Sequence, residues 1–533
     1  MSRYHTDAMS RTSGKKSMLF LVTIFFAVHD SFSTSDNFFI RDTGSVDQFK
    51  REDDKGARII AGEIHDGDNL LDNIHQSNHN RSIDEKVTEE LKGNTRDFLG
   101  GDKIIKKKDG ALFLTPLIET GRIEKAQQLS EVSLVKGIKS FAGYLTMNST
   151  SGSNLFFWLF KSQQGKFEER PLIVWLHGGL AQTAMFGLFR DTGPFYVGHD
   201  KKLKRRKYAW TQKYNMVFVD NPVGAGFSFT KSESGYPTSL EAVTEDLYKF
   251  LVQLHTLFPS FKKNKLVLVG ESTGTVYAEL LAQKIFEENK VSDFKLNLRR
   301  MIIASRHTDR GMLRRSSSFL FELGLIDDSQ RQEIAGYEEE MRAIELAGNA
   351  TESGILWLKT IKRIKEFTGL RDTLDFVHDD IGVYQKKASS WFLNQPEIKK
   401  ALHVGEHDFT ENSAEAGEHL YRTPWASTKP AVESMLADGS LPILSVYGQL
   451  DPFRSIRGRM FDAYEWPRAR EYSKAKRCQF MVGDEVAGYY KTTGPLTEVL
   501  LRNSGHLIAA AKPRWALELI DRFISDEKNF QCL

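Results

Sequence analysis

Three residues of this chain have the side chains required for nucleophilic acyl transfer: Ser272, Asp451 and His506. A serine hydroxyl is a weak nucleophile unless an imidazole removes its proton during the attack. The imidazole needs a carboxylate on its other nitrogen, which fixes the tautomer and stabilises the charged form. Alone, such an aspartate is more often a turn residue and such a histidine a surface residue. Together, the three predict a catalytic triad.

Each of these residues follows a segment typical of a buried strand. The aliphatic segment 266–270 ends at the Gly-x-Ser-x-Gly turn of Ser272, and apolar residues then recur at helical spacing. Two later segments have the same design. Segment 443–447 is followed by a glycine and then Asp451, and segment 496–502 is followed by a glycine and then His506. A strand, a sharp turn and a helix lift a serine hydroxyl above a parallel sheet, and the order serine, aspartate, histidine is that of α/β-hydrolases.

Other short apolar segments alternate with helical stretches along the chain. Such alternation is typical of an α/β fold in which a mostly parallel sheet has helices on both faces. Between about residues 310 and 391 the pattern changes to helices without strands, which predicts a helical cap insertion over the strand ends. The further predicted strands are 155–160, 172–176, 216–220, 301–304 and 479–482.

Composition excludes several classes of protein. The chain has 533 residues, of which 40% are hydrophobic and 27% charged, so it can bury a large core. A net charge of +3 gives no reason to expect nucleic acid as a partner. The basic run 201–207 is interpreted as a solvated loop. Metal-ligand spacings and phosphate-binding glycine loops are absent from the sequence, so we expect neither a metal nor a cofactor.

The N-terminal region predicts entry into the secretory route. An apolar run at 18–28 follows Lys15 and Lys16 and is too short to span a bilayer, which needs about 20 residues. It is typical of a signal peptide, assigned to residues 1–33, although an uncleaved anchor or a buried helix is an alternative. Residues 34–108 form a polar leader that is expected to be disordered. The catalytic domain is expected to span 109–533, without stable membrane insertion.

Sequons and cysteines agree with a secreted or lysosomal-like location. Asn80, Asn148 and Asn349 each begin an Asn-x-Ser/Thr sequon, the acceptor for N-glycosylation. The two cysteines, Cys478 and Cys532, allow one disulfide at most. The chain is therefore no disulfide scaffold, and its stability must come mainly from the core.

Several blocks in this order resemble the conserved blocks of serine carboxypeptidases, most closely those of the vitellogenic carboxypeptidase-like branch. The resemblance extends from about residue 111 to residue 530 and does not include the leader. The blocks are Trp-Leu-His-Gly-Gly at 175–179, Asn-Pro-Val-Gly-Ala-Gly-Phe-Ser-Phe at 221–229, Gly-Glu-Ser-Thr-Gly at 270–274, Tyr-Gly-Gln-Leu-Asp at 447–451 and Ser-Gly-His at 504–506.

The resemblance implies that one C-terminal amino acid is removed from a peptide through an acyl-enzyme, in an acidic compartment. Ser272 would be the nucleophile, His506 the base and then the acid, and Asp451 the orienting group. Backbone N–H groups of Gly179 and Thr273 would form the oxyanion hole. Peptide or protein C-termini are the implied substrates, and the sequence leaves open whether the protein forms a homodimer.

An exopeptidase must also bind the free carboxylate of its substrate. In the resembled family this role belongs to an amide, to the glutamate before the serine and to a second acid. The matching positions here are His177, Glu271 and Asp191. Glu271 can bind a carboxylate only when one partner holds a proton, which links activity to acid pH.

Departures from the family pattern lie close to the expected site. They are the loop 180–184 after the glycine pair, Thr273 after the nucleophile and the segment 305–307. Two interpretations follow. In the first, the enzyme is active and a protonated His177 replaces the usual amide. In the second, the altered loop prevents turnover and leaves a secreted binding protein. Labelling of the serine without release of an amino acid would indicate an esterase or acyltransferase.

Overall fold

The computed structural model describes residues 110–306, 316–377, 381–421, 427–452 and 460–525, together with Phe530 and Cys532. The predicted signal peptide (1–33), the polar leader (34–108) and the sequon at Asn80 lie outside these residues. So does His307 of the altered segment 305–307.

Eleven strands of the described residues form one sheet, and two short strands, β5 and β6, pair separately. The strands are β1 Glu131–Val132, β2 Ser140–Asn148, β3 Ser153–Phe160, β4 Leu172–Leu176, β5 Phe195–Val197, β6 Leu203–Arg205, β7 Asn215–Val219, β8 Leu266–Glu271, β9 Leu298–Ala304, β10 Ile443–Gly448, β11 Cys478–Val482, β12 Glu485–Thr493 and β13 Leu496–Leu501.

The strand order in the large sheet is β1-β2-β3-β7-β4-β8-β9-β10-β13-β12-β11. From β7 to β13 all neighbouring strands are parallel. The strands on either side of this centre pair antiparallel. The predicted α/β-hydrolase fold is confirmed, with its parallel strands at the centre of a mixed sheet.

Helices connect the central strands and cover both faces of the sheet. Every residue of β4, β7, β8 and β13 is buried, as expected for parallel strands packed on both sides. The α-helices are α1 Thr115–Glu119, α2 Ile123–Ser130, α3 Leu240–Leu257, α4 Gly274–Val291, α5 Ser316–Glu322, α6 Asp328–Leu346, α7 Ala350–Thr368, α8 Ile381–Leu393, α9 Pro396–Ala401, α10 Ala414–Tyr421, α11 Lys429–Asp438, α12 Ala469–Lys474, α13 Ile508–Ala511 and α14 Pro513–Ser525.

Shorter helical turns complete the set. A π-helix spans Gly187–Thr192 and carries two residues of the site described below. The 3₁₀-helices are Trp210–Gln212, Glu233–Gly235, Pro259–Lys262 and Met460–Ala463.

The regular elements that the structure describes between β9 and β10 are the helices α5 to α11, joined by turns and loops, and the cap insertion stays a prediction. A capping box of Asp327 and Gln330 begins α6, and left-handed Gly369 ends α7. The first helices of this segment share a small apolar cluster of their own, composed of Leu320, Ile326, Ile334 and Ile364. The chain just after α7 contacts the end of β13, because the backbone N–H of His506 donates to the Leu374 carbonyl at 2.7 Å.

The two cysteines form the one disulfide that the sequence allows. Cys478 begins β11, and its Cα lies 5.7 Å from that of Cys532. Close to the bridge, the ring of Phe530 packs edge-on against Tyr490 at 5.4 Å, which attaches the C-terminal segment to the sheet. None of the helices in the described ranges is long and apolar enough to cross a membrane.

Candidate active site

Ser272 lies in the turn between β8 and α4 and has a left-handed backbone, with φ of 56°. This conformation is strained for any residue with a Cβ, and such strain is concentrated at functional sites. A Cβ on Gly270 would lie 2.5 Å from the Cα of Thr275, and one on Gly274 would lie 2.2 Å from the Leu176 carbonyl oxygen. Both glycines are therefore needed for the turn that raises the serine at the strand end.

Asp451 and His506 are in direct contact. They follow β10 and β13, which are parallel neighbours in the sheet. Nδ1 of His506 lies 2.8 Å from Oδ2 of Asp451, and both side chains are almost fully buried. Because a carboxylate can only accept, Nδ1–H donates, and Nε2 is left as the proton acceptor.

Ser272 and His506 are linked through the end of β9. The backbone N–H of Ser272 donates to the Ala304 carbonyl at 2.9 Å. The hydroxyl of Ser305, the next residue, donates to the His506 carbonyl at 2.5 Å. Within the described residues no hydrogen bond joins the Ser272 hydroxyl to the imidazole. In resting enzymes such bonds are often long and tighten only when substrate binds.

The predicted oxyanion groups flank the nucleophile. A Cβ on Gly178 would lie 2.6 Å from the Cβ of Ser272, so the loop after β4 passes directly against the serine. Gly179 has φ of 80°, a conformation that glycine adopts without strain. Thr273 is the N-cap residue of α4, and its Oγ1 is buried without a hydrogen-bond partner in the described part of the chain.

The altered loop 180–184 is held in place by contacts that the sequence did not reveal. The buried carboxylate of Asp220 accepts from the Thr183 hydroxyl at 2.6 Å and from the Ala184 N–H at 2.9 Å. The same carboxylate accepts from the Phe227 N–H at 2.9 Å. The N–H of Ser413 donates to the Ala181 carbonyl at 3.3 Å. The loop beside the oxyanion hole is therefore anchored on two sides.

We expect replacement of Asp220 by alanine to destabilise the fold by about 3 kcal/mol, because buried donors in two segments lose their acceptor. Burial raises the pKa of Asp220 to about 6, so the measurement is made near pH 8, where the carboxylate is ionised. Urea denaturation followed by tryptophan fluorescence gives the free energy. The control is Asp246→Ala in α3, which removes a half-buried carboxylate and is expected to cost less than about 1 kcal/mol. Equal costs would show that Asp220 does not anchor the loop.

His177, Asp191 and Glu271 are brought together, as the resemblance implies. All three are buried, and one nitrogen or oxygen atom from each side chain lies within 4.8 Å of those from the other two. His177 follows β4, Glu271 ends β8 and Asp191 lies in the π-helix. The cluster also contains Arg190, which the sequence analysis missed.

Arg190 forms ion pairs with both acids of this cluster. Its Nε and Nη2 donate to the two carboxylate oxygens of Asp191 at 2.8 and 2.9 Å. Nη2 also donates to Oε2 of Glu271 at 3.3 Å. A buried pair of acids would repel each other strongly, and the guanidinium supplies the compensating charge.

Burial and charge determine the protonation of the cluster. Burial, together with the charge of Arg190, holds the pKa of His177 well below its usual range. The indole N–H of Trp175 also donates to Nδ1 of His177 at 3.4 Å. Burial and the indole donor both favour a neutral His177 with its proton on Nε2, and a protonated His177 stays a prediction. Burial and the nearby Asp191 raise the pKa of Glu271 well above its usual range.

The basic residues of the run 201–207 are exposed, as predicted, except Arg206, but the run is not all loop, because Leu203–Arg205 form β6. Arg206 is half-buried and donates to the carbonyls of Phe189 and Gly193, at 3.0 Å for the latter. Burial lowers its pKa to about 10. These bonds attach the run to the π-helix that carries Arg190 and Asp191.

The altered segment 305–307 also has structural partners. Arg306 is buried and donates to Glu279 of α4, with Nε at 2.6 Å from Oε1. Its Nη2 donates to the hydroxyl of Thr428 at 2.7 Å. The positive charge of Arg306 is therefore neutralised by Glu279, which lies in the helix that follows the nucleophile.

Two of the three sequons lie within the described residues, and both asparagines are exposed. Asn148 stands at the end of β2, where its side chain accepts from the Thr150 N–H at 2.9 Å. Asn349 is the N-cap of α7 and accepts from the Glu352 N–H at 3.2 Å.

The parallel sheet, the strained serine at the end of β8 and the histidine–aspartate pair beside it define a serine hydrolase of the α/β-hydrolase class. The sequence matches the serine carboxypeptidase family, Peptidase S10, over residues 132–526. The chain belongs to this family.

Curated relatives agree with the family over most of their length. A venom serine carboxypeptidase of Apis mellifera is 34% identical over 428 residues, covering 77% of this chain and 90% of the relative. The vitellogenic carboxypeptidase of Aedes aegypti is 32% identical over 445 residues, covering 79% and 90%. The probable serine carboxypeptidase CPVL of Mus musculus is 33% identical over 436 residues, covering 78% and 89%. The resemblance to the vitellogenic branch is confirmed.

A solved structure supports the fold. Kex1Δp, a prohormone-processing carboxypeptidase from Saccharomyces cerevisiae, superposes with a TM-score of 0.66 at 21% identity. The match covers 75% of this chain and 96% of that protein.

Proposed function

We propose that the protein removes single amino acids from the C-termini of peptides through an acyl-enzyme formed on Ser272. This proposal rests on the 2.8 Å hydrogen bond between His506 and Asp451. Both residues follow the carboxyl ends of central strands, as does the strained Ser272. His506 Nε2 takes the serine proton during attack on the last peptide carbonyl, while Asp451 holds Nδ1–H. The N–H groups of Gly179 and Thr273 stabilise the developing oxyanion.

His506 next returns the proton to the departing amino group, and the terminal amino acid leaves. A water molecule, deprotonated by the same imidazole, attacks the acyl-enzyme and releases the shortened peptide. Each half-reaction uses the imidazole once as base and once as acid, so the fixed tautomer is needed in both.

The anchoring of the altered loop favours turnover over a binding protein without activity. The loop 180–184 lacks the residues usual in the family, yet Asp220 and the segment 411–413 hold it beside the glycine pair. Backbone donors depend on the shape of the loop and not on its side chains. The oxyanion hole is therefore compatible with these substitutions.

The carboxylate of the substrate is proposed to bind to His177, Glu271 and Asp191. Because the pKa of Glu271 is raised, this residue carries a proton under acidic conditions and can donate to a carboxylate. As the pH rises through that pKa, Glu271 ionises and repels the substrate. Activity on peptides is therefore proposed to be strongest in acid.

We expect Glu271→Gln to flatten the pH dependence of KM for substrates with a free carboxylate. In the wild type, KM should rise at least about tenfold between about pH 5 and about pH 8, because the donor becomes an anion. A glutamine amide donates at every pH, so its KM should change less than about threefold over the same range. Steady-state assays with one blocked dipeptide check this. Parallel profiles of the two proteins would remove Glu271 from the carboxylate site.

The reaction itself is tested with a blocked dipeptide at about pH 5, with the released amino acid quantified by mass spectrometry. We expect stoichiometric release of the terminal amino acid by the wild type and none by Ser272→Ala. Release by both proteins would identify a contaminant, and release by neither would contradict the peptidase proposal. Hydrolysis of a simple ester without dipeptide cleavage would favour the esterase or acyltransferase alternative.

We also propose that the protein enters the secretory route and functions outside the cell or in an acidic organelle. The basic flank and apolar run at 15–28 support this proposal. The bridge between Cys478 and Cys532 is consistent with an oxidising compartment. The exposure of Asn148 and Asn349 makes both sequons accessible to glycosylation.

A further inference from the structure

Arg190 is a cation at the centre of the proposed carboxylate site. Its side chain is only 11% exposed, and the side chains of Asp191 and Glu271 are buried with it. The triad does not use it. The positions considered for carboxylate binding from the resemblance are an amide and two acids, and Arg190 adds a guanidinium to them.

Several hydrogen-bonding groups of the cluster have no partner. Nε and Nη2 of Arg190 are engaged, whereas Nη1 makes no hydrogen bond within the part of the chain that the structure describes. Oε1 of Glu271 is buried and also lacks a partner there. Nε2 of His177 carries a proton, because Nδ1 accepts from the Trp175 indole. The cluster thus offers donors to an oxygen-rich ligand.

The charges around Arg190 balance when Glu271 is protonated. Asp191 comes from the same π-helix, Asp372 from the chain after α7, and Arg206 from the chain after β6. The positive charges of Arg190 and Arg206 then match the negative charges of Asp191 and of Asp372, whose own pKa burial raises. A substrate carboxylate entering this group meets a guanidinium and is not repelled by a net negative charge.

We propose that Arg190 is a specificity-determining residue whose guanidinium binds the terminal carboxylate of the substrate together with Glu271 and His177. The inference rests on the proposed function and names the charged group that selects free C-termini. The ion pair with Asp191 holds the guanidinium in a fixed orientation before substrate arrives, which lowers the entropic cost of binding.

The test compares Arg190→Gln with the wild type on one blocked dipeptide and on its C-terminal amide. Glutamine can still donate to Asp191 but carries no charge. The ratio of kcat/KM for the free acid to that for the amide is expected to fall at least about tenfold, mainly through KM. Arg190→Lys restores the charge and should recover most of this ratio. All rates are normalised to the fraction of Ser272 that a fluorophosphonate labels, which corrects for misfolded protein.

A ratio that falls threefold or less would overturn the proposal and leave Arg190 as a structural partner of Asp191. Equal losses on both substrates would have the same meaning. If Arg190→Gln does not label, the double variant Arg190→Met, Asp191→Asn removes the ion pair as a unit and is measured instead. Failure of the wild type to cleave either substrate would contradict the proposed function itself, and the role of Arg190 with it.

Discussion

Replacement of His506 by alanine is expected to lower kcat for a blocked dipeptide by about a millionfold. Without the imidazole, the Ser272 hydroxyl has no group to take its proton, and Asp451 loses the partner that it holds at 2.8 Å. The residual rate then comes only from substrate binding and from the backbone donors of the oxyanion hole, which act without the triad. Single-turnover assays at high enzyme concentration are needed to measure so small a rate.

His199→Ala provides the matched control. This histidine is exposed on the loop after β5, so its removal should change kcat less than about twofold. The comparison separates loss of the general base from nonspecific effects of deleting an imidazole. A His506→Ala rate within about a hundredfold of the wild type would show that another group serves as base.

Asp451→Asn is expected to lower kcat by about ten-thousandfold while leaving KM nearly unchanged. The amide is almost the same shape as the carboxylate, so the buried position is still filled. It can donate to Nδ1, however, and then stabilises the tautomer whose proton lies on Nε2. That tautomer cannot accept the proton of Ser272, and the positive charge on His506 loses its counterion.

A second buried carboxylate gives the control for this substitution. Glu498 lies on β13, is 5% exposed and accepts a hydrogen bond from the Tyr472 hydroxyl at 2.5 Å. Glu498→Gln makes the same chemical change on the strand that leads to His506. We expect its kcat to stay within about threefold of the wild type. Similar losses in the two variants would indicate a general effect of burying an amide, without a special role for Asp451.

The central strands and the nucleophile turn could be predicted because their signals are local. All eight segments predicted as strands are strands in the structure. For the central strands, which are buried on both faces, a run of aliphatic residues has few alternatives. The long antiparallel strands β2 and β12 were missed. Each contains a glycine, Gly143 or Gly488, which weakens a strand pattern. A Cβ on Gly488 would lie 2.2 Å from the Leu500 carbonyl oxygen, so close packing requires the glycine.

The triad candidates could be proposed from the sequence because each one follows a strand, whereas their surroundings depend on contacts between distant segments. Arg190 was missed because it bonds to Glu271, which lies 81 residues away in the sequence. The lowered pKa of His177 depends on burial and on the same arginine, neither of which the sequence shows. The support of the altered loop by Asp220 spans 36 residues and has no local signature.

These contacts explain how the residues that depart from the family pattern fit into the fold. Arg306 has the buried partner Glu279, and Thr183 has Asp220, so the changed residues are integrated into the fold. Their contacts hold the loop beside the oxyanion hole and the helix after the nucleophile in place. This combination favours a peptidase with altered specificity over a protein that has lost its activity.

The most direct measurement is covalent labelling of the protein with a fluorophosphonate, followed by peptide mass spectrometry to locate the adduct. The reagent reacts rapidly with a serine whose hydroxyl is activated by a neighbouring base. We predict a single adduct on Ser272 that is absent from His506→Ala. An unlabelled wild-type protein, or an adduct on a different serine, would contradict the assignment of Ser272 as the nucleophile.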